Sequence, residues 1–255
     1  MLAITSMGII PGLAADNTIS AKDLTYLADP QASPNTYIED GKLQGLAVDL
    51  LDKMWERMGA DLNRSIIKLV PWTEGYQRTL KENNTVLLST ARIPEREKLF
   101  KWAGPISSSN YVLLAKINSN ISIKTPEDLK KYRIGGLEDN AANQLLLNQG
   151  IEKEDLILAD TPTPIIEMLK NGTIDAFAIS DISGFWQIKQ SGANASDYKV
   201  AYIFGQGEGY YAFNNRTADS LVLSFQQALD YLKSNKDANG VSEYDKILSK
   251  YYPAT

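Results

Sequence analysis

Apolar positions along the chain follow two alternating rhythms. Ala47, Leu50, Leu51, Met54, Trp55 and Met58 recur at i, i+3, i+4, i+7, i+8 and i+11, and Gly59 stands where such a helix can end. That spacing makes the Met and Trp core residues of one helix face. Between periodic segments lie short apolar runs, Leu24–Ala28, Ile66–Val70 and Thr85–Leu88, which predict buried strands. Asp40-Gly41 predicts a hairpin turn, and a helix over 73–81 fits between the second and third runs. Strand and helix thus alternate to about residue 110, the pattern of a mainly parallel sheet with helices on its faces.

From Tyr111–Ala115 the pattern restarts. Thr125-Pro126-Glu127-Asp128 opens a helix with a capping hydroxyl and proline at its first position, 132–136 is a strand, and Asn140-Ala141-Ala142 opens a helix closing near Gly150. Strands at Ile157-Leu158 and Ala176–Ile179 alternate with helices over 164–170 and 183–190. This predicts a second α/β block over about 112–204. A strand at 210–213 and helices over 218–233 and 242–251 complete the chain; Leu221, Phe225, Ala228, Leu229 and Leu232 share one face of the first.

Composition narrows the chemistry. The 255 residues include no histidine and no cysteine, with a net charge of −5. Ser-His-Asp and Cys-His catalysis are excluded in their usual forms, and zinc, haem and iron–sulfur sites lose their usual ligands. No metal or cofactor is expected. A lipid anchor through cysteine is excluded as well. Without a basic stripe, nucleic acid is a poor partner. Met1–Ala15 resembles the apolar part of a secretory signal peptide, without its basic start, ending in small residues near Gly12–Ala15. Asn235–Gly240 imitates a calcium loop, but its twelfth position is Lys246 rather than a bidentate Glu, so it is expected to be an inter-helix connection.

The candidate chemistry centres on 89–105. A buried strand ends in Ser89-Thr90, and Pro94 then forces a turn into a short charged helix carrying Arg96. Backbone N–H groups, hydroxyls and a guanidinium are thereby aimed at one small volume. A carboxylate suits it, because a planar fork can bind both its oxygens.

Several stretches, taken in order, resemble the periplasmic solute-binding proteins of ABC importers, of the amino-acid-binding type (bacterial extracellular solute-binding family 3). They are 41–51 (GKLQGLAVDLL), 94–98 (PEREK), 124–130 (KTPEDLK), 172–176 (GTIDA) and 244–248 (YDKIL). The resemblance implies the type II periplasmic-binding-protein fold: two α/β lobes, 20–110 plus 206–255 and 111–205, joined by two hinge strands. It implies a monomeric, exported, non-enzymatic protein, periplasmic or extracellular. Its lobes would close over an amino acid or related small carboxylate for delivery to a membrane permease.

The resemblance also implies roles for individual residues. Arg96 would clamp the ligand's α-carboxylate; the alternative is a surface salt bridge with Glu95 or Glu97. Ser89 would contact the ligand. Ala91 departs from the family, where a hydroxyl residue usually stands, so Thr90 or Arg92 is expected to substitute. Asn140 and Ala141 match the helix start that faces the carboxylate, and Asn140 is equally an N-cap. Asp181, one place later than in many relatives, would meet a ligand amine or serve as an N-cap. Trp72 would pack on the ligand, with Tyr76 as a weaker choice. Asp29 matches a loop position reading the ligand's far end; the aromatic expected near Ala32 is missing, and Tyr37 is the candidate to fill the gap. Two other functions stay open. One is a dehydratase of the cyclohexadienyl type with Glu138 or Glu208 as general acid; the other is a ligand-sensing module for a separate receptor.

Overall fold

A computed structural model of the chain describes residues 19–252, so the signal-peptide-like segment 1–15 lies outside the described residues. The chain runs β1 (Thr25–Ala28), β2 (Tyr37–Glu39), β3 (Lys42–Gln44), α1 (Leu46–Arg57), β4 (Lys68–Leu69), α2 (Trp72–Lys81), β5 (Thr85–Arg92) and β6 (Phe100–Lys116). It continues through β7 (Ile134–Leu137), α3 (Ala141–Leu147), β8 (Leu156–Ala159), α4 (Pro162–Asn171), β9 (Ala176–Ser180), α5 (Asp181–Gln190) and β10 (Tyr198–Asn214). Helices α6 (Asp219–Ser234) and α7 (Glu243–Tyr251) follow.

Local chemistry explains these elements. Asp40 and Gly41 both take positive φ (49° and 72°), as a tight hairpin turn between β2 and β3 requires. Helix α1 buries Leu50, Leu51, Met54 and Trp55, as its periodicity predicts. The Trp55 indole donates to the Tyr26 hydroxyl (3.0 Å), which donates to the Ala21 carbonyl (2.8 Å), so this core contact leaves neither polar group unpaired. Thr125 and Asp128 form a capping box, but the helix expected after Thr125 is only a 3-10 turn, Pro126–Lys131. Pro162 opens α4, and Gly172 at φ 80° closes it.

One eight-stranded sheet, in the order β4-β1-β5-β10-β6-β9-β7-β8, unites the chain. Four of its seven pairings are parallel; the three antiparallel ones all involve β6 or β10. These two strands, 17 residues each, form a central ribbon. Strand β5 pairs with the far end of β10 (208–213), and β9 pairs with the far end of β6 (111–114). The remaining strands therefore form two groups at opposite ends of the ribbon. Around one group, α1, α6 and α7 enclose a core that includes Tyr26, Trp55, Tyr211, Phe213 and Phe225. Around the other, two clusters gather Leu113, Ile134 and Leu146 on one face of the sheet and Ile165, Phe177 and Ile188 on the other.

Four further elements differ from expectation. The strand over Ile66–Val70 shrinks to the two-residue edge strand β4, because a 3-10 turn, Arg64–Ile66, precedes it, with Arg64 ion-paired to Asp49 at 2.9 Å. Arg96 lies in a single 3-10 turn, Pro94–Arg96, rather than a helix. Strands β6 and β10 extend far beyond the apolar runs 111–115 and 210–213. Ser107-Ser108-Ser109-Asn110 and Gly205–Gly209 show no apolar alternation, and pairing with each other keeps them extended. Among the described residues no helix is long and apolar enough to cross a membrane.

Candidate functional site

The two groups of elements face each other across a cleft of about 970 Å³ including its open mouth. Strand β5 reaches it through an irregularity. Thr90 pairs with Tyr210 and Leu87 with Ala212, so Leu88 and Ser89 together oppose Tyr211 alone. This bulge puts Ser89 at φ 58°, in the left-handed region that non-glycine residues rarely adopt. As a result Ser89 and Ala91 line the cleft. Thr90, expected to substitute for the hydroxyl missing at 91, is fully buried on the other side, with its hydroxyl returned to the Leu87 carbonyl (3.4 Å).

Arg96 forms the cationic wall. The residue is 6% exposed, and its guanidinium packs beside the adjoining rings of Trp72 (5.5 Å from the centroid) and Tyr76 (5.2 Å). Its Nη2 donates to the Asp139 carbonyl (2.7 Å), which also accepts from Trp72 Nε1 (3.1 Å). Neither Glu95 nor Glu97 pairs with it. Glu95 accepts from Asn148 Nδ2 (2.7 Å), and Glu97 holds Arg92 (2.6 Å). Arg92 is thereby occupied beside Trp102 and Tyr210, outside the cleft lining, so it does not substitute at 91 either. Burial lowers the Arg96 pKa, the expected response of a cation short of compensating charge.

Asn140 and Ala141 form the facing wall. Asn140 is the N-cap of α3, its Oδ1 accepting from Ala142 N at 2.9 Å. Asp29 also lines the cleft; it accepts from Gln31 N (2.9 Å), and burial raises its carboxyl pKa. Asp181 is placed differently from expectation. It is the first residue of α5 rather than the N-cap, and its carboxylate accepts from Asn110 N (3.3 Å) and Nδ2 (2.9 Å) on β6, while its neighbours Ser180 and Ser183 line the cleft. Tyr37 does not fill the gap near Ala32; it is buried against Trp186 (5.4 Å between centroids) and Tyr251 (6.4 Å).

Several lining residues escaped sequence reasoning. Tyr252 arrives from the end of α7 and donates to Asn35 Oδ1 (3.1 Å). Gln187 on α5 donates across the cleft to the Gln31 carbonyl (2.6 Å). Ser107, Ser109, Tyr111 and Gly209 come from the central ribbon. No local motif marks Tyr252 or Gln187. The alternate glycines 205, 207 and 209 were the available signal for the ribbon face.

The electrostatics are lopsided. Arg96 faces a cleft also lined by Asp29, Glu138, Asp160 and Glu208. Glu138 is paired with Lys153 (3.2 Å), and Glu208 accepts from the Tyr210 hydroxyl (3.0 Å). A small solute carrying a carboxylate and one or more cationic groups matches this pattern. Among the described residues no cluster of acidic side chains is disposed to hold a metal ion. The calcium-like loop is an inter-helix connection, with Asp237 paired to Lys246 at 2.7 Å.

Comparison with known proteins agrees with this architecture. Residues 24–254 match the family model of bacterial extracellular solute-binding proteins, family 3. A probable histidine-binding protein of Campylobacter jejuni is 24% identical over 233 residues, covering 87% of this chain and 82% of its own. Among solved structures, the arginine-, lysine-, histidine-binding protein ArtJ of Geobacillus stearothermophilus superposes with a TM-score of 0.75 at 20% identity, covering 91% of this chain and 95% of its own. A histidine kinase sensor domain similar to periplasmic binding proteins superposes at 0.77 and 20% identity, covering 90% of this chain and 96% of its own. The fold is the two-lobed one of these proteins.

Proposed function

The chain belongs to the bacterial extracellular solute-binding proteins of family 3, and we propose that it captures an L-amino acid with a polar or basic side chain and delivers it to an ABC permease. The observation that carries this proposal is Arg96: a buried guanidinium, lining the cleft, with no carboxylate partner among the described residues. A solute carboxylate would supply the missing charge, with Ser89, Asn140 and Ala141 on the surrounding walls and Trp72 as an apolar face. Asp29 and its neighbouring acids would receive the cationic end. The names of the Campylobacter and Geobacillus relatives favour the same class of solute.

The lobes would be 20–110 plus 206–255 and 111–205, with β6 and β10 as the hinge strands. Ligand favours the closed state through contacts made from both sides at once. The protein acts outside the cytoplasm and performs no chemistry. Glu138 and Glu208 both line the cleft, but each already has a protein partner, which favours binding over general acid catalysis.

A thermal-shift screen of the twenty L-amino acids, with simple sugars and their α-carboxamides as controls, tests the proposal. At about 100 times Kd, binding contributes about 2.7 kcal/mol, a rise of roughly 5–10 °C in a domain of this size. At least one amino acid should produce that rise while its carboxamide does not. Silence toward every amino acid, or an equal response to the carboxamide, overturns it.

A further inference from the structure

The floor of the cleft contains a hydroxyl that the fold leaves without a partner among the described residues. On β10, Gly205, Gly207 and Gly209 pair with Tyr111, Ser109 and Ser107 of β6. Their alternation leaves one face of the strand bare. The Tyr111 ring lies over Gly207: a Cβ there would come within 2.5 Å of Tyr111 Cε2 and 3.2 Å of its hydroxyl. The ring, 6% exposed, packs near Phe204, and Tyr111 lines the cleft together with Ala91, Arg96 and Ala141.

The Tyr111 hydroxyl makes no hydrogen bond among the described residues. Four other buried or half-buried tyrosines bond within the protein. Tyr26 reaches the Ala21 carbonyl, Tyr211 the Ala47 carbonyl, Tyr251 the Asp49 carboxylate and Tyr252 the Asn35 amide. The hydroxyl of this largely buried ring is thus left without a protein partner where the residue lines the cleft. Its wall neighbours Ala91 and Ala141 present only methyl groups.

We infer that Tyr111 is a ligand-binding residue, its hydroxyl donating to the solute carboxylate that Arg96 clamps. This rests on the amino-acid reading above. The hinge strand would thereby contribute directly to recognition, and Gly207 would be glycine to give the ring its place. Burial pushes the Tyr111 pKa up to about 12, so the group remains an O–H donor across the physiological range. A neutral donor beside the guanidinium adds a second directed bond to the anion without adding charge to the site.

Calorimetric titration of wild type, Tyr111→Phe and Gly207→Ala with each of the twenty L-amino acids tests this. Because the hydroxyl has no partner in the free protein, Tyr111→Phe should keep the wild-type Tm. It should weaken the tightest-binding amino acid roughly 10- to 100-fold, the range for a hydrogen bond to a charged group. Gly207→Ala, which drives a methyl into the ring, should weaken the same amino acid. Wild-type affinity in Tyr111→Phe overturns the assignment while leaving the amino-acid function standing. Failure of wild type to bind any of the twenty overturns both.

Discussion

Arg96 and Asp139 meet across the cleft: Nη2 of the guanidinium donates to the Asp139 carbonyl at 2.7 Å. Asp139 sits at φ 53°, and the same carbonyl accepts from Trp72. A neutral carbonyl therefore stands where a buried cation ordinarily finds a carboxylate. The bond ties β5's following turn to the loop before α3, and among the described residues no carboxylate is ion-paired with Arg96.

A buried cation in that position costs stability in the unliganded protein. Arg96→Met preserves much of the packing against Trp72 and Tyr76 while removing the desolvated charge. Thermal denaturation without added solute should show the variant at the wild-type Tm or a few degrees above it. A large fall would show that the guanidinium is a structural strut rather than a binding group.

The Ser89 bulge makes a second, independent prediction. Ser89→Gly removes the left-handed penalty and should raise stability by up to about 1 kcal/mol, whereas the β-branched Ser89→Val should cost about 1–3 kcal/mol. Urea midpoints for the two variants should move in opposite directions.

This bulge also shows why part of the site was illegible in the sequence. Arg96 was legible because a proline and its charged neighbours mark the turn that carries it, whereas Trp72, Asp29, Asn140 and Ala141 were singled out only by the resemblance to the family. All of these line the cleft with Ser89. Thr90 was misplaced because a left-handed serine has no sequence signature, and one extra residue in a strand reverses which side chains face the cleft. Asp181 opens α5 two residues before the expected start at 183, and its partner Asn110 belongs to a polar stretch of β6 that no apolar pattern marks as strand. The same absence hid the lengths of β6 and β10, which depend on pairing between distant segments. Tyr252 and Gln187 enter the cleft only through tertiary packing.

Asp29 gives a pH dependence. Burial raises its carboxyl pKa, only partly offset by the Gln31 N–H. A raised folded-state pKa contributes stability that is fully present below the unfolded value and lost as pH rises through the folded one. Ionised Asp29 therefore costs stability at neutral pH. Asp29→Asn should be more stable than wild type at pH 7, the difference shrinking as pH falls toward about 4. Tm values for both proteins across pH 4–8 check the sign.

The most direct measurement is calorimetric titration of wild type and Arg96→Met with the L-amino acid that stabilises wild type most and with its α-carboxamide. A clamp built on Arg96 requires one-to-one binding of the acid to wild type and at least a roughly 100-fold loss for the carboxamide. Arg96→Met should bind both weakly and almost equally, since charge-assisted bonds to a desolvated carboxylate carry the discrimination. Equal affinity of wild type for acid and carboxamide, or unchanged affinity for the acid in Arg96→Met, would contradict the assignment of this cleft as a carboxylate-reading amino-acid site.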